Sequence, residues 1–332
     1  MDAMSGLDGR RVVVEVPAST ANLGAGYDCL GLALDLVNRV AVEVRAGADR
    51  TVELTVEGEG EGELAADRTN RFVRGLEAAI AGRIQPPGER AGGLAGAGGV
   101  HAGVGWRIAM TNRIPLARGL GSSAAATVGG LLAGNALQGE RLATADLLRL
   151  ATAIEGHPDN VAAALLGGFV VAAASDRGVE AIRFDVPRGL RAVLFIPELR
   201  LSTDDMRSVL PATVPRADAV ANLSRVAIGV AGLASGRLDV LSSLTEDRLH
   251  EPYRAAVYPQ LPRLVADARA AGALGACLSG AGSTVIAFSD SLAAIAAIEG
   301  ALRAAAADTD LPGRVEIVAP RNGGATVVLS GA

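Results

Sequence analysis

The chain contains no lysine, so each of its 31 basic residues is an arginine. Codon usage in a GC-rich genome is the bland source of that bias. Its chemical consequence is sharper: a phosphate loop of the GxxxxGK[ST] type is excluded. Any phosphate site must work through backbone N–H groups, arginine or a metal. Aromatic residues make up only 3% of the chain, so the core has to be built from Ala, Val, Leu and Ile. The two cysteines, Cys29 and Cys277, lie far apart without metal-ligand spacing, which argues against a disulfide framework or a zinc site. The longest apolar run, Val161 to Ala174, is rich in Ala and Gly and too short to span a bilayer. The opening MDAMSGLDGRR lacks the apolar core of a signal peptide. With a net charge of −5 and scattered arginines, the chain also lacks the basic face that non-specific nucleic-acid binding needs. The expectation is a cytoplasmic protein that binds neither nucleic acid nor membrane.

What is present is a chain of 332 residues, half of them hydrophobic, enough for two modest domains. The 42 glycines foretell tight turns and close backbone approaches. Alternating, β-branched RVVVEV at residues 11–16 reads as a strand ended by Pro17. A small-residue loop follows, then strands at 30–36, 39–45 and 51–56, and an acidic loop tip at Glu57–Glu63. Residues 70–82 have helical spacing through Phe72, Val73, Leu76, Ala79 and Ile80. The Gly- and Pro-rich stretch 86–105 reads as a surface loop, and 106–110 as a strand. A buried helix should follow Ser123. Another should run from 144 to 155 with Thr144 as its cap, and a short apolar helix should precede the strand FVVAA. Beyond the polar stretch 176–190, helices are expected at about 217–235, 238–250 and 257–271. Strands are expected at 181–184, 191–196, 275–278, 284–288 and 325–329. This alternation suggests an α+β sandwich.

The most informative segment is Pro115 to Ala125, PLARGLGSSAA. A strand and a glycine turn lead into a helix, so backbone N–H groups and the positive helix end can face an anion. Serine stands where a Walker loop has lysine. By itself, GLGSS is equally a tight turn with serine caps. Its flanks resemble the second signature motif of the GHMP kinases, the family of galactokinase, mevalonate kinase and homoserine kinase. PASTANLGAGYDCLGLAL, residues 17–34, resembles the first motif, and GALGACLSGAGSTVIAF, residues 272–288, the third. The three occur in the family's order across most of the chain.

Four finer features resemble the homoserine kinase branch: residues 21–28 (ANLGAGYD), 155–162 (EGHPDNVA), Leu201-Ser202-Thr203 with Arg207, and 250–254 (HEPYR). The resemblance implies an ATP- and Mg²⁺-dependent transfer of phosphate to the hydroxyl of L-homoserine, giving O-phospho-L-homoserine in threonine biosynthesis. Pro115, Arg118, Gly119, Leu120, Gly121, Ser122, Ser123 and Ala124 would hold ATP, with Asn70 near the adenine. Ser123 and Glu155 would hold Mg²⁺. Asn22, Asp28, His157, Asn160, Thr203, Arg207 and Arg254 would bind the substrate, the two arginines taking its carboxylate. Asp28 and Asn160 would orient the hydroxyl, and Asp28 or Asp159 is the candidate base. Taken singly, Arg254 could pair with Glu251, and Glu155 could be a solvated helix-terminal residue.

The resemblance also implies an α+β, two-domain GHMP kinase fold. Residues 10–185 would form a ribosomal-S5-domain-2-like ATP-binding domain and 186–332 a ferredoxin-like α/β sandwich, with the site in the cleft between. Relatives are usually homodimers. The alternatives are a GHMP kinase for another alcohol, such as mevalonate, a diphosphocytidyl sugar alcohol or shikimate, and a non-catalytic ligand-binding relative.

Overall fold

The structure, a computed structural model, describes residues 5–48, 51–82 and 104–331. The expected loop at 86–105 lies outside these residues except for its last two, which open a strand. The N-terminal half comprises β1 (Arg11–Asn22), β2 (Gly26–Ala46), β3 (Val52–Gly58), α1 (Arg71–Ala81), β4 (Val104–Asn112), α2 (Ser122–Leu137), α3 (Thr144–Glu155), α4 (Asp159–Leu166), β5 (Phe169–Ser175) and β6 (Gly178–Phe184). After these come β7 (Arg191–Pro197), α5 (Thr203–Ser208), α6 (Arg216–Ala234), α7 (Leu241–Leu244), α8 (Glu251–Arg254), α9 (Leu261–Ala270), β8 (Gly275–Leu278), β9 (Val285–Ser289), α10 (Leu292–Asp308), β10 (Gly313–Val318) and β11 (Thr326–Gly331).

Two sheets organise the molecule. The first has seven strands. Its spine runs β11-β1-β2-β4-β3, and β5 pairs with both β2 and β6. The second is a four-stranded antiparallel sheet in the order β10-β7-β9-β8. The chain therefore leaves the first sheet after Phe184 and enters the second at Arg191. It comes back with β11, which pairs antiparallel with β1. The segment expected to lie wholly in the C-terminal unit thus gives its last strand to the N-terminal sheet.

Pro17 does not end β1. The strand continues to Asn22, with a register shift between Pro17 and Ala18 where the proline has no N–H to offer the ladder. The two strands expected at 30–36 and 39–45 are one, β2. Its first half pairs with β5 and its second with β4. This crossing of neighbours carries β1 and β2 as far as the cavity described below.

Helices α1 and α2 cross at backbone contact. A Cβ at Gly130 would lie 2.0 Å from the Phe72 carbonyl oxygen, and one at Gly75 would lie 2.3 Å from that of Thr127. Only glycine permits this spacing, and it seats α2 against β1 in the core. Helix α3 starts at Thr144, but the capping position is Ala143, which offers no side-chain cap. The helix expected at 238–250 shrinks to α7. Asp247 accepts the backbone N–H groups of Leu249, His250 and Glu251, which diverts them from helical bonding.

Strands β7, β8 and β9 are buried on both faces. Val193, Phe195, Leu278 and Val285 belong to a core shared with Leu264, Ile298 and Leu302 of the outer helices and with Tyr258 of the α8–α9 connection. Their neighbours Leu194, Cys277 and Ile286 belong to the larger core of the first sheet. Period-two alternation therefore separates two cores rather than core and solvent. Among the described residues, α6 is the one helix long and apolar enough to cross a membrane by length and composition. It leaves Val220, Leu223 and Ile228 exposed.

Candidate functional site

Six segments converge on one cavity of about 130 Å³ between the two sheets. The β1–β2 turn brings Asn22 and Asp28, and the β4–α2 connection with the start of α2 brings Pro115 and residues 117–124. The α3–α4 corner contributes Glu155, His157, Asp159 and Asn160. Helices α5 and α8 bring Thr203, Arg207 and Arg254, and the β8–β9 loop brings Gly280–Gly282. Every residue expected at the site lines this cavity except Asn70.

Backbone strain is concentrated here. Asn22, Leu23, Asp28 and Ala117 all have φ between 49° and 68°, a region non-glycine residues seldom occupy. Asn22 holds the turn together. Its Oδ1 accepts the Asp28 N–H at 3.0 Å, and its Nδ2 donates to the Gly280 carbonyl at 2.9 Å.

The glycine turn is fixed by close contacts. A Cβ at Gly119 would lie 2.1 Å from the Ser279 carbonyl oxygen, and one at Gly121 would lie 2.1 Å from Ser19 Oγ. Ser279 Oγ donates to the Gly119 carbonyl, and the Thr284 N–H to that of Arg118. Helix α2 then starts without a side-chain cap. Its first internal bond runs from the Ala125 N–H to Gly121. The N–H groups of Ser122, Ser123 and Ala124 have no protein acceptor among the described residues, and these residues border the cavity. Uncapped donors at a helix start are what an anion requires. Arg118 has a different job. Its guanidinium donates to the carbonyls of Leu116, Pro197 and Glu198, tying the loop to the end of β7.

Glu155 ends α3 with its side chain only 6% exposed. Its Oε1 accepts from Thr127 Oγ1 at 2.7 Å and from Arg71 at 3.4 Å. Ser123 and Thr127 are four residues apart on α2, so they share the face that looks toward Glu155. No group of three or more His, Cys, Asp or Glu residues that could hold a metal occurs among the described residues. A carboxylate and a hydroxyl on one wall still suit Mg²⁺, which takes few protein oxygens and fills its shell with phosphate and water.

At the opposite end, Arg207 forms a two-pronged pair with Asp28 at 2.6 and 2.9 Å and donates to the Tyr27 hydroxyl at 2.8 Å. Arg254 is buried and does not pair with Glu251. It donates to the carbonyls of Met206 and Gly280 and to His250. His157 donates from Nδ1 to Asp159 at 2.8 Å, and this bond raises the histidine's pKa against the opposing effect of burial. The same Asp159 oxygen accepts the Asn160 N–H, while Ser19 Oγ donates to Asn160 Oδ1. Asp159 is therefore buried, with its Oδ1 shared between His157 and Asn160.

A second, more apolar cavity of about 310 Å³ shares Ala117, Ser122 and Ser123 with the first. Asn70 lies here, beside Leu64, Phe72, Met110 and Leu116. Its amide is engaged within the protein: Oδ1 caps α1 at the Phe72 N–H, and Nδ2 donates to Ala65. It shapes that wall instead of offering a free hydrogen-bonding edge.

Ser19, Tyr27, Thr127 and His250 carry no expected role in the sequence reading, yet all four hold site residues in place. Ser19, Tyr27 and His250 stand inside the quoted motifs, and Thr127 follows Ser123 by one helical turn. Those positions were the available signal.

Comparison with known proteins identifies the family and the fold. Residues 88–168 match the GHMP kinase N-terminal domain model, and residues 230–308 match the GHMP kinase C-terminal model. The homoserine kinase of Moorella thermoacetica is 42% identical over 316 residues, covering 95% of this chain and 99% of that protein. That of Deinococcus radiodurans is 39% identical, covering 92% and 93%. A crystal structure of homoserine kinase from Cytophaga hutchinsonii superposes with a TM-score of 0.81 at 29% identity, covering 96% of this chain and 97% of that one. A mevalonate kinase from L. major, at 15% identity and a TM-score of 0.65, shares the fold. The chain belongs to the GHMP kinase family, in the branch of the homoserine kinases.

Proposed function

We propose that the chain transfers the γ-phosphoryl group of ATP to the side-chain hydroxyl of L-homoserine, releasing ADP and O-phospho-L-homoserine. The observation that carries this reading is one cavity with an uncapped helix start at one end and paired arginines at the other. The triphosphate lies along residues 119–124, where the N–H groups of α2 meet its charge. The nucleoside occupies the apolar cavity beside Phe72 and Asn70. Ser123 and Glu155 are the residues that would hold Mg²⁺, which when bound neutralises charge on the phosphates. Transfer then depends on alignment and electrostatics.

Homoserine lies across the cavity with its carboxylate toward Arg207 and Arg254 and its amino group toward Asp28 and Asn22. The hydroxyl oxygen forms a bond to the γ-phosphorus as the bond to the ADP oxygen breaks. Asn160, held by Ser19, orients that hydroxyl. Asp28 is paired with Arg207, and Asp159 with His157. Both carboxylates are taken up in positioning these partners, so the hydroxyl proton leaves with the transferring phosphate and water.

Mass spectrometry and ³¹P NMR of the product formed from Mg-ATP and L-homoserine test this reading. A phosphate ester on the side-chain oxygen supports it. Unchanged homoserine with intact ATP, in a folded protein, overturns it.

A further inference from the structure

His250 precedes the short helix that carries Arg254, and its side chain is entirely buried. Its two ring nitrogens face partners of opposite kind. Nδ1 lies 3.0 Å from Arg254 Nη1, and Nε2 lies 2.9 Å from the Gly24 carbonyl oxygen. A guanidinium only donates and a carbonyl only accepts. The ring must therefore be neutral, with its proton on Nε2. Asp247 Oδ2 is 3.6 Å from Nε2, beyond hydrogen-bond range. That carboxylate is already engaged by three backbone N–H groups and by Asn222. Burial also pushes the His250 pKa down to about 4.

This arrangement decides which edge of Arg254 is free. Nε donates to Met206, and Nη1 to His250 and Gly280. Nη2 has no protein partner among the described residues, and Arg254 lines the cavity. Arg207 turns its Nη1–Nη2 edge to Tyr27 and Asp28, which leaves Nε–H and one Nη2–H without a protein partner among the described residues. Both cations lie over the Tyr27 ring, whose centroid is 5.4 Å from the Arg207 guanidinium and 5.5 Å from that of Arg254. The His250 ring packs against it at 5.3 Å. Such ring contacts hold two like charges near each other.

We propose that His250 is a positioning residue. By accepting from Arg254 while anchored to the Gly24 carbonyl, it turns Arg254 Nη2 into the cavity. With the free edge of Arg207, this completes a receptor for the carboxylate of the amino-acid substrate. The inference rests on the homoserine reading above and adds how the receptor is aimed. His250 touches no substrate. It acts through Arg254, and because it also holds the β1–β2 turn, it links the two segments that bracket the substrate.

Two substitutions separate its two bonds. In His250→Asn the amide oxygen reaches the place of Nδ1 and still accepts from Arg254, but the link to Gly24 is lost. In His250→Gln the amide nitrogen reaches the place of Nε2 and still donates to Gly24, but Arg254 loses its acceptor. His250→Gln should raise KM for homoserine about tenfold, the size of one lost charge-assisted hydrogen bond, with kcat and KM for ATP within about twofold of the unsubstituted enzyme. His250→Asn should recover most of that loss. If His250→Gln keeps its KM for homoserine, or if both variants lose kcat and ATP affinity together, the positioning role is wrong. Should His250→Gln fail to fold, ¹⁵N-edited NMR of the unsubstituted enzyme decides the matter. It should show His250 neutral with its proton on Nε2 between pH 6 and 8, and an imidazolium or the Nδ1 tautomer would overturn the proposal. An unsubstituted enzyme that does not phosphorylate homoserine would sink the functional reading separately.

Discussion

At the scale of single residues, the site is a set of charges that already have partners. Asp28 holds Arg207, and Asp159 holds His157. A carboxylate held in this way is poorly placed to reach the substrate hydroxyl and take its proton. Asp28→Asn is therefore expected to raise KM for homoserine about tenfold and to lower kcat by less than tenfold, whereas loss of a general base costs roughly 10²–10⁴. Steady-state kinetics distinguish the two, and a kcat fall of three orders of magnitude would make Asp28 the base.

His157 gives a pH test. Its folded-state pKa is raised by Asp159, so its contribution to stability is full below the unfolded value of about 6.5 and is lost as pH rises through the folded value. His250 is shifted the opposite way and costs stability as pH falls from about 6.5 toward its folded value of about 4. Glu251, pushed up to about 8 by burial, loses stability as pH rises. The wild-type slope mixes all three, so His157→Gln should be compared with wild type by urea unfolding at pH 6 and pH 8. The difference should be larger at pH 6, and a larger difference at pH 8 would contradict the pairing.

The sequence motifs brought nearly all of these residues together, because each motif spans a turn and both of its flanks. They could not show which partner each side chain takes. The Arg254 side chain is aimed by His250, Met206 and Gly280, two of them far from it in sequence, and the Asn70 amide is occupied locally.

At the scale of elements, legibility followed burial. Amphipathic α1 and α3 and the alternating β1 and β4 were readable. Helix α10 was not anticipated, because its run of alanines offers little contrast between faces. Only Ile295, Ile298, Leu302, Ala305 and Ala306 are buried. The sequence pattern of β2 splits into two expected strands because it shifts where the strand changes partner from β5 to β4. The helix expected after residue 238 failed because Asp247 gathers the N–H groups that the helix would have used.

The α1–α2 crossing gives the prediction at this scale. Gly130→Ala raises intrinsic helix propensity by roughly 1 kcal/mol. It also places a methyl 2.0 Å from a backbone oxygen. Overpacking of this kind typically costs about 1–3 kcal/mol, and here a backbone atom must move, so a net loss of stability is expected by denaturant unfolding. A stabilised variant would show that the helices are free to separate.

At the scale of the whole molecule, the two sheets are tied together at the cavity. Arg118 links the phosphate loop to β7, Asn22 links the first turn to Gly280, and Ser279 links the third motif to Gly119. The cavity is a property of this junction and of neither sheet alone. Strand β11 adds a second tie that no local pattern announced, since strand periodicity does not name the partner strand. Removing residues 326–332 should strip the edge of β1 and lower the thermal midpoint of the whole enzyme in a single transition. A truncated protein with unchanged melting would mean that β11 contributes nothing to the fold.

The central claim is that this junction phosphorylates an amino-acid alcohol held by its carboxylate. The most direct test is ADP release from Mg-ATP with homoserine, threonine, serine, mevalonate and shikimate offered separately. The account predicts strong turnover with L-homoserine and little with the others. Preferred turnover of mevalonate or shikimate, with homoserine ignored, would leave the fold and the phosphate cradle standing and contradict the assignment of Arg207 and Arg254.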